Sequence, residues 1–99
     1  MKSAVSIQVL PLNTESKSEL YNYVDQAIAV IEDSGLSYTV APFETTVEGE
    51  LDEVWEIAGK AHKAVLKAGA AKVISYIKLA SGDNLGTSAE KISKYENGE

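Results

Sequence analysis

The sequence predicts an α+β protein with the ferredoxin-like βαββαβ fold, in which two helices cover one face of a four-stranded antiparallel sheet. Short segments that alternate apolar and polar residues, typical of half-buried strands, are separated by two long segments with helical periodicity. Their order is strand, helix, strand, strand, helix, strand, and right-handed crossovers then place both helices on the same face. The 99 residues suffice for one such domain, residues 1–99, and are too few for two.

The first half of the predicted domain is a strand followed by a helix. The strand covers Ala4–Leu10, and Pro11 is expected to end it because proline cannot donate a hydrogen bond to a ladder. The helix covers about Lys17–Ser34, since Ser16–Glu19 has the spacing of a capping box and Gly35 is a natural C-terminal cap. The residues at helical spacing that should face the sheet are Leu20, Val24, Ala27, Ile28 and Ile31.

Two short strands and a second helix come next. The strands are predicted over Ser37–Ala41 and Thr45–Glu50, with a turn at Pro42–Glu44 between them. Gly49 should let the chain bend into the helix, whose acidic first turn suits the positive end of the helix dipole and which Gly69 ends. The inward residues predicted for this helix are Leu51, Val54, Trp55, Ala58, Ala61, His62 and Val65.

The last strand is predicted over Lys72–Ala80, followed by a loop at Ser81–Asn84 and a short terminal helix from Thr87 to about Tyr95. Apolar residues occur at both parities of this strand, so its orientation is less obvious than that of the first. We assign Val73, Ile77 and Leu79 to the core, which turns Ile74, Tyr76 and Lys78 to the other face of the sheet.

The face without helices carries mainly hydrogen-bonding side chains. Two interpretations stay open, a solvated sheet face and a polar recognition surface that another subunit could cover. A buried Glu48 would need a partner, either Lys78 or the donors of a nitrogen-rich ligand. The residues predicted to lie on this face are Ser6, Gln8, Ser37, Thr39, Thr46, Glu48, Tyr76 and Lys78.

Composition excludes several classes of function. The net charge is −6 and all nine basic residues are lysine, which disfavours a nucleic-acid binder. There is no cysteine, no cluster with metal-ligand spacing, no apolar run long enough to span a membrane and no signal-peptide pattern at the start. We therefore expect a cytoplasmic protein with no metal and no cofactor. The single histidine, His62, and Trp55 are expected in the core, with His62 hydrogen-bonded to the sheet.

Five stretches resemble a known family in the correct order. These are Ser6–Pro11, Gly35–Tyr38, Thr45–Glu50, Ala61-His62 and Ala68–Ala70. The chain resembles, over nearly its whole length, the YkoF-like family of small thiamine-binding proteins. The most specific part is Thr-Thr-Val-Glu-Gly-Glu immediately before a helix.

The resemblance implies a non-catalytic homo-oligomer, dimer or tetramer, that binds thiamine or its hydroxymethylpyrimidine portion. A carboxylate such as Glu48 can accept from the exocyclic amine, and the hydroxyls of Thr46 or Ser6 can donate to ring nitrogens. Tyr76 could stack on a ring, and the acidic surroundings suit the thiazolium cation. The resemblance points to the Thr45–Glu48 stretch, and the face assignment contributes the remaining positions. The predicted ligand-binding residues are Ser6, Gln8, Thr39, Thr45, Thr46, Glu48, Tyr76 and Lys78, with no catalytic residue.

Three other functions are alternatives to ligand binding. The main alternative is a structural or regulatory module that uses the open face only to assemble with copies of itself. A small dimeric enzyme, such as a cofactor-free monooxygenase, needs a reactive group in an enclosed pocket, and no residue indicates one. RNA binding on an open sheet expects aromatics on the central strands and basic flanks, and only Tyr76 meets that expectation.

Overall fold

The computed structural model describes residues 1–83 and contains the six elements in the predicted order. The strands form one antiparallel sheet with the order β2-β3-β1-β4. The ferredoxin-like α+β fold is confirmed, while the helix predicted over Thr87–Tyr95 lies outside the described residues. Within residues 1–83, no helix is both long and apolar enough to cross a membrane. The elements are β1 (Lys2–Leu12), α1 (Lys17–Asp33), β2 (Ser37–Val40), β3 (Thr45–Glu50), α2 (Leu51–Lys67) and β4 (Lys72–Ser81).

β1 is longer than predicted at both ends, and Pro11 does not end it. Pro11 is buried and pairs with Val73 of β4. The ladder between β1 and β3 stops at the pair Ile7–Thr45, so the second half of β1 has a neighbouring strand on one side only. A residue without an N–H is tolerated at such a free edge, which is why the predicted strand end was wrong.

Both helices begin and end close to the predicted positions because their caps are local. Ser16 Oγ accepts a hydrogen bond of 3.1 Å from the backbone N–H of Glu19 at the start of α1. Gly35 follows its last turn with φ +76° and Gly69 follows α2 with φ +113°, conformations that L-residues with a side chain rarely adopt.

Gly49 has a different role from the predicted one. Its backbone is not left-handed; instead, a Cβ at this position would lie 3.3 Å from Leu36 Cδ2. The glycine therefore permits close packing of the loop before β2 against β3. The entry into α2 is fixed by a capping box in which the Glu50 N–H donates to Glu53 Oε1 over 3.1 Å.

The core lies between the helices and one face of the sheet in two adjoining clusters. One joins β1, β3, α1 and α2, and the other joins α1 to the second half of α2. The members of the first are Val5, Ile7, Ile31, Val47, Val54, Ile57 and Ala58, and those of the second are Tyr23, Ala27, Ala61, Val65 and Ala70.

Trp55 is not a core residue, contrary to the prediction. Its side chain is 63% exposed, and Ile57 occupies the core instead. Successive helical residues are turned by about 100°, so Trp55 lies about a quarter-turn away from Val54, which faces the sheet. The hydrogen bond predicted for His62 is confirmed, since its Nδ1 lies 2.6 Å from Ser75 Oγ on β4, but the residue is half-buried and belongs to neither core cluster.

The edge strands are only partly covered by the helices. The register places Ile77 and Leu79 on the helix-facing side, as predicted, since they pair with Ile7 and Val5. They nevertheless remain 44% and 40% exposed because β4 is the outermost strand. Tyr38 and Val40 on the opposite edge strand face the same side and are exposed for the same reason.

Candidate functional site

One row of the open sheet face brings together four of the predicted residues. Thr39 pairs with Thr46, Thr46 with Ser6, and Ser6 with Lys78, so the row crosses all four strands. Directly opposite residues on one face have Cβ atoms about 4.5–5.5 Å apart. The hydroxyls of the two threonines and the serine therefore form a continuous polar strip that ends at an ammonium group.

Three further predicted residues flank this row on the same face. Gln8 pairs with Tyr76, and Glu48 pairs with Ser37 on one side and Ala4 on the other. Tyr76 is 58% exposed, whereas Gln8 and Glu48 are half-buried. We call these seven residues the open-face cluster: Ser6, Gln8, Thr39, Thr46, Glu48, Tyr76 and Lys78.

The structure does not bring Thr45 into this cluster. Thr45 pairs with Ile7 and faces the helices, where its side chain is 7% exposed. The parity of β3 decides this, because Thr46 and Glu48 point to the open side and their odd-numbered neighbours cannot.

Glu44 belongs to the open face although it was not among the predicted site residues. Its Oε2 lies 3.5 Å from Lys78 Nζ, so a carboxylate of the β2–β3 turn reaches across the open face to the β4 lysine. Its parity could have identified it: Glu44 directly precedes β3 and is in phase with Thr46 and Glu48. Because the sequence predicts a turn over Pro42–Glu44, it assigns Glu44 to neither face of the sheet.

The surroundings of Glu44 favour its charged form. The Ser6 hydroxyl is the largest cause that lowers the pKa of this carboxyl below its ordinary value, and the Lys78 ammonium lowers it further, while burial acts in the opposite direction. Ser6 Oγ is itself buried and has no hydrogen bond of regular geometry among the described residues. The Ser6 hydroxyl carries a single proton, which it can direct either to the Glu44 carboxylate or to a ligand acceptor.

An apolar cleft opens beside this polar strip. It has a volume of about 320 Å³ and lies between α1, the β2–β3 turn and the free edge of β1. Gln8, Glu44 and Thr45 also line it, so Gln8 and Glu44 contribute to both the cleft and the open face. We call this feature the α1 cleft; its main apolar walls are Leu10, Leu20, Tyr21, Val24, Val40 and Phe43.

The edge of β1 gives the α1 cleft unpaired backbone groups. From Gln8 to Leu12 the strand pairs with β4 only. In an antiparallel strand, alternate residues direct their N–H and C=O groups to opposite sides. Every second residue of this segment therefore offers a polar backbone group on the side where β3 has ended. Fixed donors and acceptors in an apolar cleft are typical of sites for small heterocycles.

The described residues contain no group of three or more acidic or histidine side chains that could hold a metal ion. What residues 1–83 do assemble is an ionised carboxylate, several hydroxyls, an amide and an ammonium beside an apolar cleft. Such an arrangement can recognise a planar ring that carries both donors and acceptors.

Comparison with known proteins finds relatives along nearly the whole chain. Residues 5–96 match the model of a family described as thiamine-binding protein. A UPF0045 protein of Clostridium perfringens is 40% identical over 91 residues, which are 92% of this chain and 94% of the relative.

Two solved structures share the fold at clear sequence identity. A domain of unknown function, DUF77, from Bacillus cereus has a TM-score of 0.83 at 38% identity, covering 96% of this chain and 90% of that one. A candidate thiamine biosynthesis/salvage protein of Thermotoga maritima has a TM-score of 0.81 at 32% identity, covering 96% and 99%.

Proposed function

We propose that this chain, which belongs to the thiamine-binding protein family, binds thiamine or its hydroxymethylpyrimidine portion as a homo-oligomer without catalysing a reaction. The observation that carries the proposal is the polar strip of the open face with the charged Glu44 at its edge. The T. maritima protein is named as a candidate thiamine biosynthesis/salvage protein, whereas the name of the C. perfringens relative states no activity.

The chemistry of the open-face cluster matches an aminopyrimidine. Glu44 and Glu48 can accept hydrogen bonds from the exocyclic amine, and the hydroxyls of Ser6 and Thr46 can donate to ring nitrogens. The buried Ser6 Oγ is of particular interest, because a ligand acceptor would satisfy a polar atom that otherwise lacks a regular bond. The net charge of −6 further favours the thiazolium cation of thiamine over an anion.

The proposed assembly is supported by the exposed edge of β4. This strand is ten residues long, and among the strands of residues 1–83 it has β1 as its neighbour on one side only. Large apolar side chains are exposed on both of its faces, among them Ile74 and Tyr76 on one and Ile77 and Leu79 on the other. A long apolar edge of this kind favours pairing with another strand, and a second copy around a two-fold axis would continue the sheet.

Isothermal titration calorimetry with thiamine, hydroxymethylpyrimidine and thiamine phosphates tests the binding. We expect binding at micromolar or tighter affinity, weakened about tenfold by Glu48→Gln, since a charged acceptor is replaced by a neutral one. Glu32→Gln is the matched control, because Glu32 is an exposed carboxylate on α1 away from the open face.

The same titration separates ligand binding from the alternative of a purely structural module. Light scattering after size exclusion gives the oligomeric state of the sample that is titrated. An intact oligomer that binds none of these compounds would contradict the proposal and favour a module whose open face serves assembly alone. If the protein is a monomer that binds one of these compounds, the proposed ligand stands and the proposed homo-oligomer is wrong.

A further inference from the structure

We infer that the aromatic ring of the ligand enters the α1 cleft, with its amino group at Glu44 and its remaining polar part over the open-face cluster. This inference rests on the proposed function and adds to it the place and orientation of the ring. The apolar contacts of the ring are then made in the α1 cleft and not by Tyr76, the aromatic residue that the sequence places on the open face.

The shape of the α1 cleft favours it over the open face as the position of the ring. Sites for small molecules are concave and have volumes of about 300–1,000 Å³, and the α1 cleft, at about 320 Å³, reaches this range. The open face near Tyr76 is a sheet surface, on which a ring can be covered from one side only. A heterocycle loses more water-exposed apolar area in the cleft than on the sheet, and this favours the cleft.

Several apolar residues that line the α1 cleft are exposed. Phe43 and Tyr21 are 81% and 61% exposed, and Val40 is 52% exposed, although all three line the cleft. Exposed apolar side chains that converge on a concave surface mark binding sites more often than solvated surface. Two aromatic rings, one from α1 and one from the β2–β3 turn, can contact a planar ring by stacking or by edge-to-face packing.

The polar residues of the α1 cleft determine the orientation of the ring. Glu44 lines the cleft and also pairs with Lys78 on the open face, and Gln8 is likewise shared by both regions. Polar groups are therefore concentrated where the cleft meets the open sheet, while the walls farther along α1 are apolar. A ring with an amino group at one side and a methyl group at the other fits in one direction, amine towards Glu44 and methyl towards Leu20 and Val24.

The chain provides a direct probe, because Phe43 is its only phenylalanine and Trp55 its only tryptophan. Protein labelled with ¹³C in phenylalanine gives ring signals from one residue. We expect these signals to shift during titration with hydroxymethylpyrimidine and to saturate with the calorimetric Kd, with nuclear Overhauser contacts between ligand and ring protons. The Trp55 indole N–H signal should stay unchanged, since Trp55 lies on α2 and does not line the cleft.

Alanine variants give the energetic counterpart. Phe43→Ala should weaken both thiamine and hydroxymethylpyrimidine about tenfold, because both ligands share the ring that the cleft holds. Tyr76→Ala tests the competing position over the sheet, where we expect a smaller loss than for Phe43→Ala, and Trp55→Ala is the matched control with an expected change below about twofold. All three side chains are largely exposed, so the variants should fold.

The outcomes separate this inference from the proposed function. If calorimetry shows binding while the Phe43 signals stay in place, or if Tyr76→Ala weakens binding and Phe43→Ala does not, the ring lies over the sheet. The inference is then wrong and the proposed function stands. If no thiamine-related compound binds, the proposed function fails first and the inference fails with it.

Discussion

The two helices have the same length but unequal roles in the core. Both span 17 residues, yet α2 buries five of them and α1 three. The other inward residues of α1, Leu20, Val24 and Ile28, are half-buried and line the α1 cleft. The difference shows that α2 is the structural helix of this domain, whereas α1 leaves part of its apolar stripe available for another molecule.

The cause lies in the sheet beneath the helices. β3 begins at Thr45, directly after the turn at Pro42–Glu44, and its ladder with β1 therefore stops at the pair Ile7–Thr45. Beside Gln8–Leu12 the sheet therefore lacks a strand on the β3 side, and the apolar side chains of α1 that face this gap line the α1 cleft. α2 continues over the complete part of the sheet and packs against β1, β3 and β4.

The largest change in the free energy of unfolding is expected within a matched pair of side-chain truncations, one in each helix. Ile57→Ala removes a side chain that is 7% exposed, and it should lower the free energy of unfolding by about 2–4 kcal/mol because it leaves a cavity. Ile28→Ala removes a half-buried side chain of the cleft wall and should cost about 1 kcal/mol. Urea denaturation measures both.

Equal losses of unfolding free energy in Ile57→Ala and Ile28→Ala would contradict the difference between the two helices. They would mean that α1 packs as tightly as α2 in solution and that the cleft is filled. A change in the m-value would indicate that the variant alters the unfolded or native compactness, and the two free energies would then not be comparable.

The glycines that follow the two helices should differ as well. Gly69 has φ +113°, well outside the left-handed region near +57°, and Gly69→Ala should cost about 2 kcal/mol. Gly35 has φ +76°, close to that region, and Gly35→Ala should cost about 1 kcal/mol. The nearest atom to a Cβ at position 69 is Tyr23 Oη at 3.7 Å, so the difference comes from backbone strain and not from a clash.

Thermal or urea unfolding of both alanine variants, with Gly35→Asn as a third, would measure this difference. Asparagine tolerates the left-handed conformation better than alanine, so Gly35→Asn should recover part of the lost stability. A larger loss at Gly35 than at Gly69 would contradict the strain argument.

Trp55→Ala should have a small effect although it deletes the largest side chain of α2. With 63% of the residue exposed, we expect a loss of about 1 kcal/mol, compared with about 3–5 kcal/mol for a buried tryptophan. The measurement is repeated over a range of protein concentrations. A large loss that grows with concentration would show that assembly buries Trp55 and that this flank of α2 is an interface.

The smallest expected effect is the pH dependence contributed by Glu44. Its folded-state pKa is lowered from 4.5, by the Ser6 hydroxyl first and then by Lys78, so the charged form stabilises the fold above pH 4.5. This contribution is lost as the pH falls through the folded pKa. Stability curves of the wild type and Glu44→Gln should therefore converge as the solution is acidified.

Much of the candidate site could be predicted because strand parity is a local property. The alternation around Val5 and Val47 assigns Ser6, Thr46 and Glu48 to the open face without knowledge of the partners. The same rule excludes Thr45 from that face, and it would have included Glu44 had the predicted strand begun one residue earlier. Trp55 shows the limit of the approach on a helix, where an error of one position turns the side chain by about 100°.

The sequence by itself determined the order of the elements, their caps and the face on which each strand residue lies. These features are local, because the side-chain repeat of a strand (2.0 residues), that of a helix (3.6 residues) and the capping residues each involve only a few neighbouring positions. Only the tertiary structure decided where the β1–β3 ladder stops, that Pro11 lies within a strand, that Glu44 meets Lys78, and that α1 stands over a gap. These features depend on contacts between residues far apart in the chain. No local pattern specifies them, because the free energy that selects them comes from packing the two helices on one sheet.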